Sequence, residues 1–231
     1  MTKILSILGL IFSFFSVSVH ANISVNQTVV TFEPGGSSRQ DIDVLNHSDK
    51  PVFLQIESFE IVNPGAPGQR RIKVENPRKS GLLVSPKRTA LAGGARQLIR
   101  FVNLVPSNRM LRDKVFRVTV TPIADPRDNK AAAVKVIVAY EVLVILRPKE
   151  ARADLVSTRK GEWFEFSNNG NSNVLLKRGK QCENRADNAS CVELPGKRLY
   201  AGNTWRVKAP LKTPIVYEYA VGADNFEKSF Q

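Results

Sequence analysis

Few side chains in this sequence are of the kinds that carry out catalysis or hold metal ions. The chain of 231 residues contains two histidines and two cysteines, which is too few for a multi-cysteine zinc or iron–sulfur framework. A Ser/His/Asp triad would have to use His47, because His20 falls in an N-terminal segment that we expect to be removed. His47 stands in the polar stretch Asn46–Pro51, which is typical of a solvated turn.

Two other patterns resemble fragments of functional sites. Asp41 and Asp43 fall on one face of a predicted strand, but no other polar residue accompanies them in the pattern. Gly93-Gly94 lacks the spacing of a phosphate-binding loop and predicts a turn between two strands instead. We therefore expect a protein that is not an enzyme and that uses neither a metal ion nor a cofactor.

The N-terminal segment has the pattern of a secretory signal peptide. Lys3 precedes the apolar run Ile4–Phe15, and Val19-His-Ala21 supplies small residues at the cleavage-site spacing. The apolar stretch ends before the roughly 20 residues that span a bilayer, and no stop-transfer charges follow it. A retained membrane anchor is the alternative. We expect a signal peptide at residues 1–21 that is cleaved after Ala21, and no membrane insertion.

Export changes the interpretation of the two cysteines. Cys182 and Cys191 are separated by polar turn residues, and in an oxidising compartment such a pair closes a β-hairpin or a long turn. The alternative, a redox pair, lacks both the C-x-x-C spacing and a helix N-terminus. We expect a structural disulfide.

The chain is basic, with a formal net charge of +13. Its basic residues are spread along the sequence and are not interleaved with aromatic residues as on surfaces that stack nucleic-acid bases. An exported protein also rarely meets nucleic acid, so we expect no such partner. A solubilising surface and attraction to an acidic secreted protein both remain open.

The composition and the strand pattern indicate a globular all-β protein. Hydrophobic residues make up 42% and charged residues 24% of the chain, which are ordinary values for a folded protein. Apolar and β-branched runs separated by Gly, Pro and Asn predict an antiparallel sandwich of immunoglobulin type. Its eight strands are expected at Ile23–Val29, Asp41–Val44, Val52–Val62, Arg70–Val74, Leu82–Ser85, Gln97–Leu104, Val115–Ile123 and Ala133–Leu146.

The stretch Arg147–Arg152 breaks this pattern and marks the best domain boundary. We expect a first sandwich at residues 22–147 and a smaller one, with fewer strands, at residues 148–231. The second block has alternating or apolar runs at Trp163–Phe166, Val174–Leu176, Leu199–Tyr200, Trp205–Val207 and Ile215–Val221. Between the second and third of these runs lies the cysteine hairpin.

Several stretches, in their order along the chain, carry a resemblance to a known family. They are Ile61-Val-Asn-Pro-Gly65, Gly81-Leu-Leu-Val-Ser-Pro86, Leu91-Ala-Gly-Gly-Ala-Arg-Gln-Leu-Ile-Arg100, Ser167-Asn-Asn-Gly-Asn171 and the hairpin of Cys182 and Cys191. With two sandwiches after a signal peptide, the chain resembles the periplasmic pilus (fimbrial) assembly chaperones. It is most similar to the alternate branch that serves class 5 (CFA/I-like) and cable-type fimbriae.

The resemblance implies two immunoglobulin-like domains joined at an angle and a function without catalysis. Such a chaperone binds pilin subunits in the periplasm, completes their sandwich with one of its own strands (donor-strand complementation) and delivers them to an outer-membrane usher. The alternative is a structural fimbrial subunit or a two-domain adhesin. A subunit should carry a free alternating extension at its N-terminus, whereas here that stretch runs directly into the first block.

The sequence departs from the better-known branch of the family at the carboxylate anchor. In that branch an arginine early in the first strand and a lysine late in the last strand of the first domain hold the subunit's C-terminal carboxylate. The corresponding positions here are Gln27 and Leu143, and neither is basic. Arg147, Arg117 and Arg100 are the candidates to replace them, and an interdomain ion pair is the alternative role for Arg147.

The final long run of the first block divides into two halves. Every residue of Val142–Leu146 is apolar, as expected for a strand covered on both faces. Upstream, apolar side chains alternate at Val134, Val136, Val138 and Tyr140. The pattern alone leaves open whether these residues face their own core or a partner's groove, and the resemblance implies that they form the donor strand.

Overall fold

The computed structural model of the chain describes residues 23–123, 138–184 and 188–231. The described residues form two β-sandwiches, each made of two sheets. Their only α-helix is the single turn α1 (Pro77–Ser80), which Asn76 caps by accepting hydrogen bonds from the backbone N–H groups of Arg78 and Lys79. The fold is therefore all-β, as the strand pattern predicts.

The described residues of the first sandwich form ten strands. They are β1 (Ile23–Val25), β2 (Val29–Phe32), β3 (Arg39–Asn46), β4 (Val52–Val62), β5 (Arg70–Lys73), β6 (Leu82–Ser85), β7 (Arg88–Leu91), β8 (Arg96–Asn103), β9 (Lys114–Ile123) and β10 (Tyr140–Leu146). One sheet has the order β1-β3-β8-β6, and the other has the order β2-β10-β9-β4-β5 with β7 also paired to β4. Alternate side chains of the two sheets meet in one core, with Ile99 and Phe101 of β8 and Phe116 and Val118 of β9 fully buried.

The N-terminal segment changes sheets, which corrects the prediction of one strand over Ile23–Val29. β1 pairs with β3, whereas β2 runs parallel to β10 in the other sheet. At the crossing, the Asn26 side chain accepts a hydrogen bond from the Asp43 backbone N–H (2.9 Å), and the Asn26 N–H donates to the Asp43 carbonyl (3.1 Å). Because β2 and β10 run in the same direction, the sandwich is not wholly antiparallel as expected.

The second sandwich contains eight described strands, fewer than the first. They are β11 (Leu155–Lys160), β12 (Trp163–Asn168), β13 (Val174–Cys182), β14 (Cys191–Leu194), β15 (Lys197–Leu199), β16 (Thr204–Lys208), β17 (Ile215–Val221) and β18 (Asp224–Phe230). The sheets have the orders β11-β12-β16 and β14-β13-β17-β18, and β15 also pairs with β13. In the core, the ring of Phe166 packs edge-on against Tyr217 and Phe230, with centroids 5.4 and 5.0 Å away.

The structure agrees with the sequence best where strands are buried. β4, β6 and β17 have the bounds that the pattern predicts. The pattern does not indicate β7, β11 or β18, whose residues are mostly polar or exposed. The boundary between residues 147 and 148 falls in the connection from β10 to β11 and stays a prediction.

Two predictions reach beyond the described residues. The signal peptide, residues 1–21, lies outside them. The long strand predicted over Ala133–Leu146 is described only from Tyr140, with Val138 and Ala139 preceding it outside any strand. In the part of the chain that the structure covers, no helix has the length and hydropathy needed to cross a bilayer.

Candidate functional site

β10 is covered along one edge and only half covered along the other. All of Tyr140–Leu146 pairs with β9, whereas β2 pairs only with Leu143–Leu146. In the register of β2, residues 26–28 would lie along the rest of this edge, but the chain crosses there to the other sheet. Among the described residues, no strand therefore pairs with the second edge of Tyr140–Val142.

The two faces of β10 are both buried in its C-terminal half. Val142, Val144 and Leu146 point into the core of the first sandwich, and none is measurably exposed. On the opposite face, Leu143 and Ile145 form a separate apolar cluster with Ile61 and Val115 of the first sandwich and Tyr200 of the second. The prediction that both faces of Val142–Leu146 are covered is confirmed.

The four predicted donor residues have different locations. Tyr140 packs against the core of the first sandwich, and its hydroxyl donates a hydrogen bond to the Ile23 carbonyl at 3.0 Å. Val138 is 41% exposed, although its position in the alternation is that of the buried residues. Val134 and Val136 lie outside the described residues.

Arg147 is buried where the two sandwiches meet. Its side chain is only 3% exposed, and its Nη2 donates a hydrogen bond to Ser172 Oγ of the second sandwich at 2.6 Å. Nη1 lies 3.5 Å from the carboxylate of Glu33, and the turn between β17 and β18 packs on the guanidinium so closely that a Cβ on Gly222 would stand 2.2 Å from Nη1. Arg147 thus connects groups of both sandwiches.

Asp113, just before β9, extends this polar contact. Its Oδ1 accepts a hydrogen bond from Ser172 Oγ (2.7 Å) and lies 4.0 Å from Arg147 Nε, and its Oδ2 accepts from the backbone N–H and side-chain amide of Asn173. The amide oxygen of Asn173 in turn accepts a hydrogen bond from Arg198. Burial lowers the pKa of Arg198, since a charged guanidinium is less stable away from water.

Arg117 faces the second sandwich at the side of the apolar cluster. It lies on β9 directly across from Leu143 in the sheet register, so it puts a positive charge beside the position where the family resemblance expects a lysine. Arg117 Nε is 3.5 Å from Oε1 of Glu141, and the charge of Arg117 also acts on Tyr200 of the second sandwich. Burial raises the pKa of Tyr200, and the charges of Arg117 and Arg198 oppose that rise.

Arg100 lies on β8, in the other sheet of the first sandwich, and is paired there. Its Nε and Nη2 donate to the two carboxylate oxygens of Asp41 at 3.0 and 3.2 Å, and Arg39 binds the same carboxylate. The hydrogen bonds from Arg100 and Arg39 lower the pKa of Asp41. Asp41 therefore has the polar neighbours that the sequence pattern did not indicate, and these neighbours are basic.

The remaining sequence candidates lie in turns and connections between strands. His47 is exposed, and its Nε2 is 2.6 Å from Ser24 Oγ, but no acidic side chain among the described residues hydrogen-bonds the ring. Gly93-Gly94 lies in a turn between β7 and β8, and among the described residues no group of His, Cys, Asp or Glu side chains is arranged to hold a metal ion. Gln27 is exposed, and its amide donates to the Asp41 carbonyl at 3.4 Å.

Cys182 and Cys191 form the expected disulfide, at the point where β13 pairs with β14. The bond joins directly opposed residues of the two strands and closes the hairpin. It belongs to the second sandwich, whereas β10 belongs to the first.

Sequence reasoning missed Arg71, Glu141 and Arg198. Arg71 and Arg198 stand in mixed stretches and Glu141 interrupts an apolar run, but the partners of each come from distant segments: Arg71 is 70 residues from Glu141. No periodicity in a single sequence indicates such a pairing.

Known proteins agree with this architecture. A family model for the pili and flagellar-assembly chaperone, PapD N-terminal domain, matches residues 22–152, more than half of the chain. No curated protein matches the chain in sequence.

Solved structures are similar over nearly the whole chain. The class 5 fimbriae chaperone CfaA is 19% identical with a TM-score of 0.66, covering 91% of this chain and 99% of its own. A complex of Salmonella enterica SafA pilin with the SafB chaperone gives 13% identity and a TM-score of 0.64, covering 92% and 98%. The CsuC–CsuE chaperone–tip subunit complex of Acinetobacter baumannii gives 12% and 0.61, covering 90% and 98%.

At these identities the similar structures show the fold, two immunoglobulin-like sandwiches, and the family model shows the relationship. The resemblance noted in the sequence is therefore confirmed, including the similarity to a class 5 chaperone. Family membership also implies that the chain is exported to the periplasm. The chain belongs to the pilus-assembly chaperone family.

Proposed function

We propose that this protein binds pilin subunits in the periplasm by donating the strand that contains Val134, Val136, Val138 and Tyr140, and delivers them to an outer-membrane usher. SafB is similar to this chain and was solved with SafA pilin, and CsuC was solved with the tip subunit CsuE. Those complexes support a subunit as the partner here.

The open edge of β10 is the observation that carries the proposal. Tyr140–Val142 pairs with β9 on one side, and no described strand pairs with it on the other. An unpaired strand edge presents free N–H and C=O groups to an incoming strand. A subunit strand added there would extend the sheet with backbone hydrogen bonds, and alternate side chains would set its register.

The alternation of side chains along the chain also supports the assignment of the donor strand. In β10 the even-numbered residues Val142, Val144 and Leu146 fill the chaperone's own core, and Tyr140 closes the end of that core. Val138 has the same parity but is exposed. Continuing the alternation, Val136 and Val134 would fill a groove in the subunit in place of its missing strand.

Arg117 is our choice for the anchor of the subunit's C-terminal carboxylate. Arg147 is buried among its own partners, and Arg100 is paired with Asp41 on the other sheet. Arg117 is 36% exposed and lies across from Leu143. The charge of Arg117 acts on both Arg198 and Tyr200, so the surroundings of Arg117 are basic.

The experiment is co-purification from the periplasm of cells that express the chain with candidate pilins. Val136→Asp and Val138→Asp should each leave the chaperone folded but prevent subunit capture, because a charge would enter the subunit's apolar groove. Val156→Asp is the matched control, since Val156 is similarly exposed (43%) but lies on β11 of the second sandwich.

Folding is monitored by circular dichroism and capture by the amount of bound pilin. If Val136→Asp unfolds the protein, its side chain belongs to the chaperone's own core. If either folded donor variant captures as much pilin as Val156→Asp, the donor assignment is wrong.

A further inference from the structure

Glu141 on β10 is shared between two arginines from different strands. Its Oε2 lies 2.6 Å from Nη1 of Arg71 on β5, and its Oε1 lies 3.5 Å from Nε of Arg117 on β9. Arg71 lies across the outer face of the sheet, with its guanidinium carbon 4.1 Å from the ring centroid of Phe59 on β4. One carboxylate thus bridges three strands on the face that carries Arg117.

The two halves of this bridge differ in strength. The contact with Arg71 is a short, charge-assisted hydrogen bond, and stacking on Phe59 holds that guanidinium in place. The contact with Arg117 is longer, and Glu141 and Arg117 are 38% and 36% exposed. Glu141 can therefore lose its contact with Arg117 and remain paired with Arg71, so its carboxylate would not be left without a partner.

We propose that Glu141 is an internal competitor for Arg117: it occupies this arginine in the free chaperone and yields it to the carboxylate at the C-terminus of a bound subunit. The inference rests on the proposed function, which makes Arg117 the anchor. A carboxylate of the chaperone itself would then hold the place of the ligand's carboxylate until a subunit arrives.

Such competition weakens capture slightly and makes it reversible. Exposed ion pairs are worth little, because water and salt screen them, so the subunit displaces Glu141 at a small cost. The returning Glu141 in turn assists release, since it restores the partner that Arg117 loses when the subunit leaves. A chaperone that must hand over its cargo benefits from both effects.

Glu57 provides the control that distinguishes the contact between Glu141 and Arg117 from a general effect of negative charge. It lies in the same row of the sheet, because Glu141 pairs with Thr119 of β9 and Thr119 pairs with Glu57 of β4. Its partner is Lys73, at 2.5 Å. Glu57→Gln therefore removes the same charge from the same face without touching Arg117.

The test uses two synthetic peptides of alternating valine and threonine that differ only at the C-terminus, a free carboxylate or an amide. Binding to the full-length mature chaperone is measured by fluorescence polarisation. The wild-type protein should prefer the acid peptide. Glu141→Gln should bind the acid peptide about two- to fivefold more tightly, with no change for the amide, whereas Glu57→Gln should change neither.

Glu141→Asp keeps the charge but shortens the side chain by one methylene, so it withdraws the carboxylate from Arg117. It too should tighten binding of the acid peptide. If Glu57→Gln matches Glu141→Gln, or if Glu141→Asp behaves as wild type, the effect is one of overall charge and the competitor role is wrong. If the wild type does not distinguish acid from amide, the anchor itself is wrong and the proposal falls with it. An acid preference unaffected by Glu141→Gln leaves the anchor intact and rejects the competitor alone.

Discussion

Arg147 directly follows β10 and shows how a single buried charge joins the two sandwiches. Its hydrogen bonds to Ser172 and its ion pairs with Glu33 and Asp113 involve both units of the protein. Of the two roles considered from the sequence, carboxylate anchor or interdomain ion pair, these contacts favour the second. A guanidinium that is held by these partners and is 3% exposed is poorly available to a ligand.

Replacement of Arg147 by methionine should strongly destabilise the protein. Methionine fills much of the volume but leaves Asp113, whose side chain is 4% exposed, without its cationic neighbour. Removing one partner of a buried pair costs about 3–5 kcal/mol, and the hydrogen bonds that Asp113 retains place the expected loss near the lower figure, ~3 kcal/mol.

Urea unfolding measures this loss. Arg100→Met, which breaks an exposed pair with Asp41, is the control and should change the free energy of unfolding little. Equal effects of the two substitutions would contradict the structural role given to Arg147.

The pKa of Asp41, the acidic partner in that exposed pair, provides a separate test of the pairing. Arg100 and Arg39 hold the pKa of Asp41 below its usual 3.8, so the carboxylate stays charged in the folded protein where it would be protonated in the unfolded chain. The contribution of Asp41 to stability is therefore present above pH 3.8 and is lost as the pH falls through the lower, folded-state pKa. An NMR titration that finds an Asp41 pKa at or above 3.8 would contradict the pairing with Arg100.

The two ends of β10 differ in how completely they are paired and buried. Its C-terminal half is paired on both edges and buried on both faces, whereas no described strand pairs with one edge of its N-terminal end. The cause is the crossing of the N-terminal segment at Asn26, which leaves β2 too short to cover all of β10. A strand that is anchored at one end and open at the other can pair with another chain without unfolding its own sandwich.

We expect the disulfide hairpin to contribute to stability and not to subunit capture. Replacing Cys182 and Cys191 together with serine should reduce stability by about 2.7 kcal/mol, the chain-entropy value for a loop of about ten residues. Subunit capture should persist, because the hairpin lies in the second sandwich, away from β10. Thermal unfolding tests the effect on stability, and co-purification of pilin tests subunit capture. Free thiols in protein taken from the periplasm would contradict the stabilising role of the disulfide.

The elements differ in how well the sequence indicates them, and the difference has a physical cause. Strands that bury one or both faces, such as β4 and β17, show their bounds through local alternation or apolar runs. β18 exposes six of its seven residues and so lacks such a pattern. The candidate site depends on register between distant strands, which sets Arg117 beside Leu143 and Arg71 against Glu141, and no local pattern encodes that register.

Apolar and polar contacts join the two sandwiches. The family-like stretch Ile61–Gly65 takes part in them: Ile61 joins the cluster around Tyr200, and the Asn203 side-chain amide donates to the Pro64 carbonyl at 2.8 Å. Asn171, in a second such stretch, donates to the Leu111 carbonyl at 3.1 Å. The stretches that revealed the family therefore include residues that set the two sandwiches against each other.

Export should remove the N-terminal segment before this arrangement forms. Because Val19-His-Ala21 has the cleavage-site pattern, we propose that the mature protein begins at Asn22 and is recovered in the soluble periplasmic fraction. Intact-mass measurement checks the first residue. Membrane-bound protein that retains residues 1–21 would favour the alternative of an uncleaved anchor.

Tyr200 offers the sharpest test of coupling between the sandwiches. Its ring is 8% exposed and covers Ile61, Val115, Leu143 and Ile145 of the first sandwich. Tyr200→Ala should expose that cluster, cost about 3 kcal/mol and uncouple the two units, so that calorimetry resolves two unfolding transitions where the wild type shows one.

Tyr219→Ala is the matched control for this substitution. Tyr219 stacks on Phe226 at 5.2 Å within the second sandwich, so its loss should weaken that unit alone and leave the coupling unchanged. Because the charge of Arg117 acts on Tyr200, the proposed anchor lies beside the same contact. Tyr200→Ala should therefore also reduce the preference for a peptide with a free carboxylate, and Tyr219→Ala should not. A single transition with an undiminished acid preference in Tyr200→Ala would show that neither the coupling nor the anchor depends on this ring.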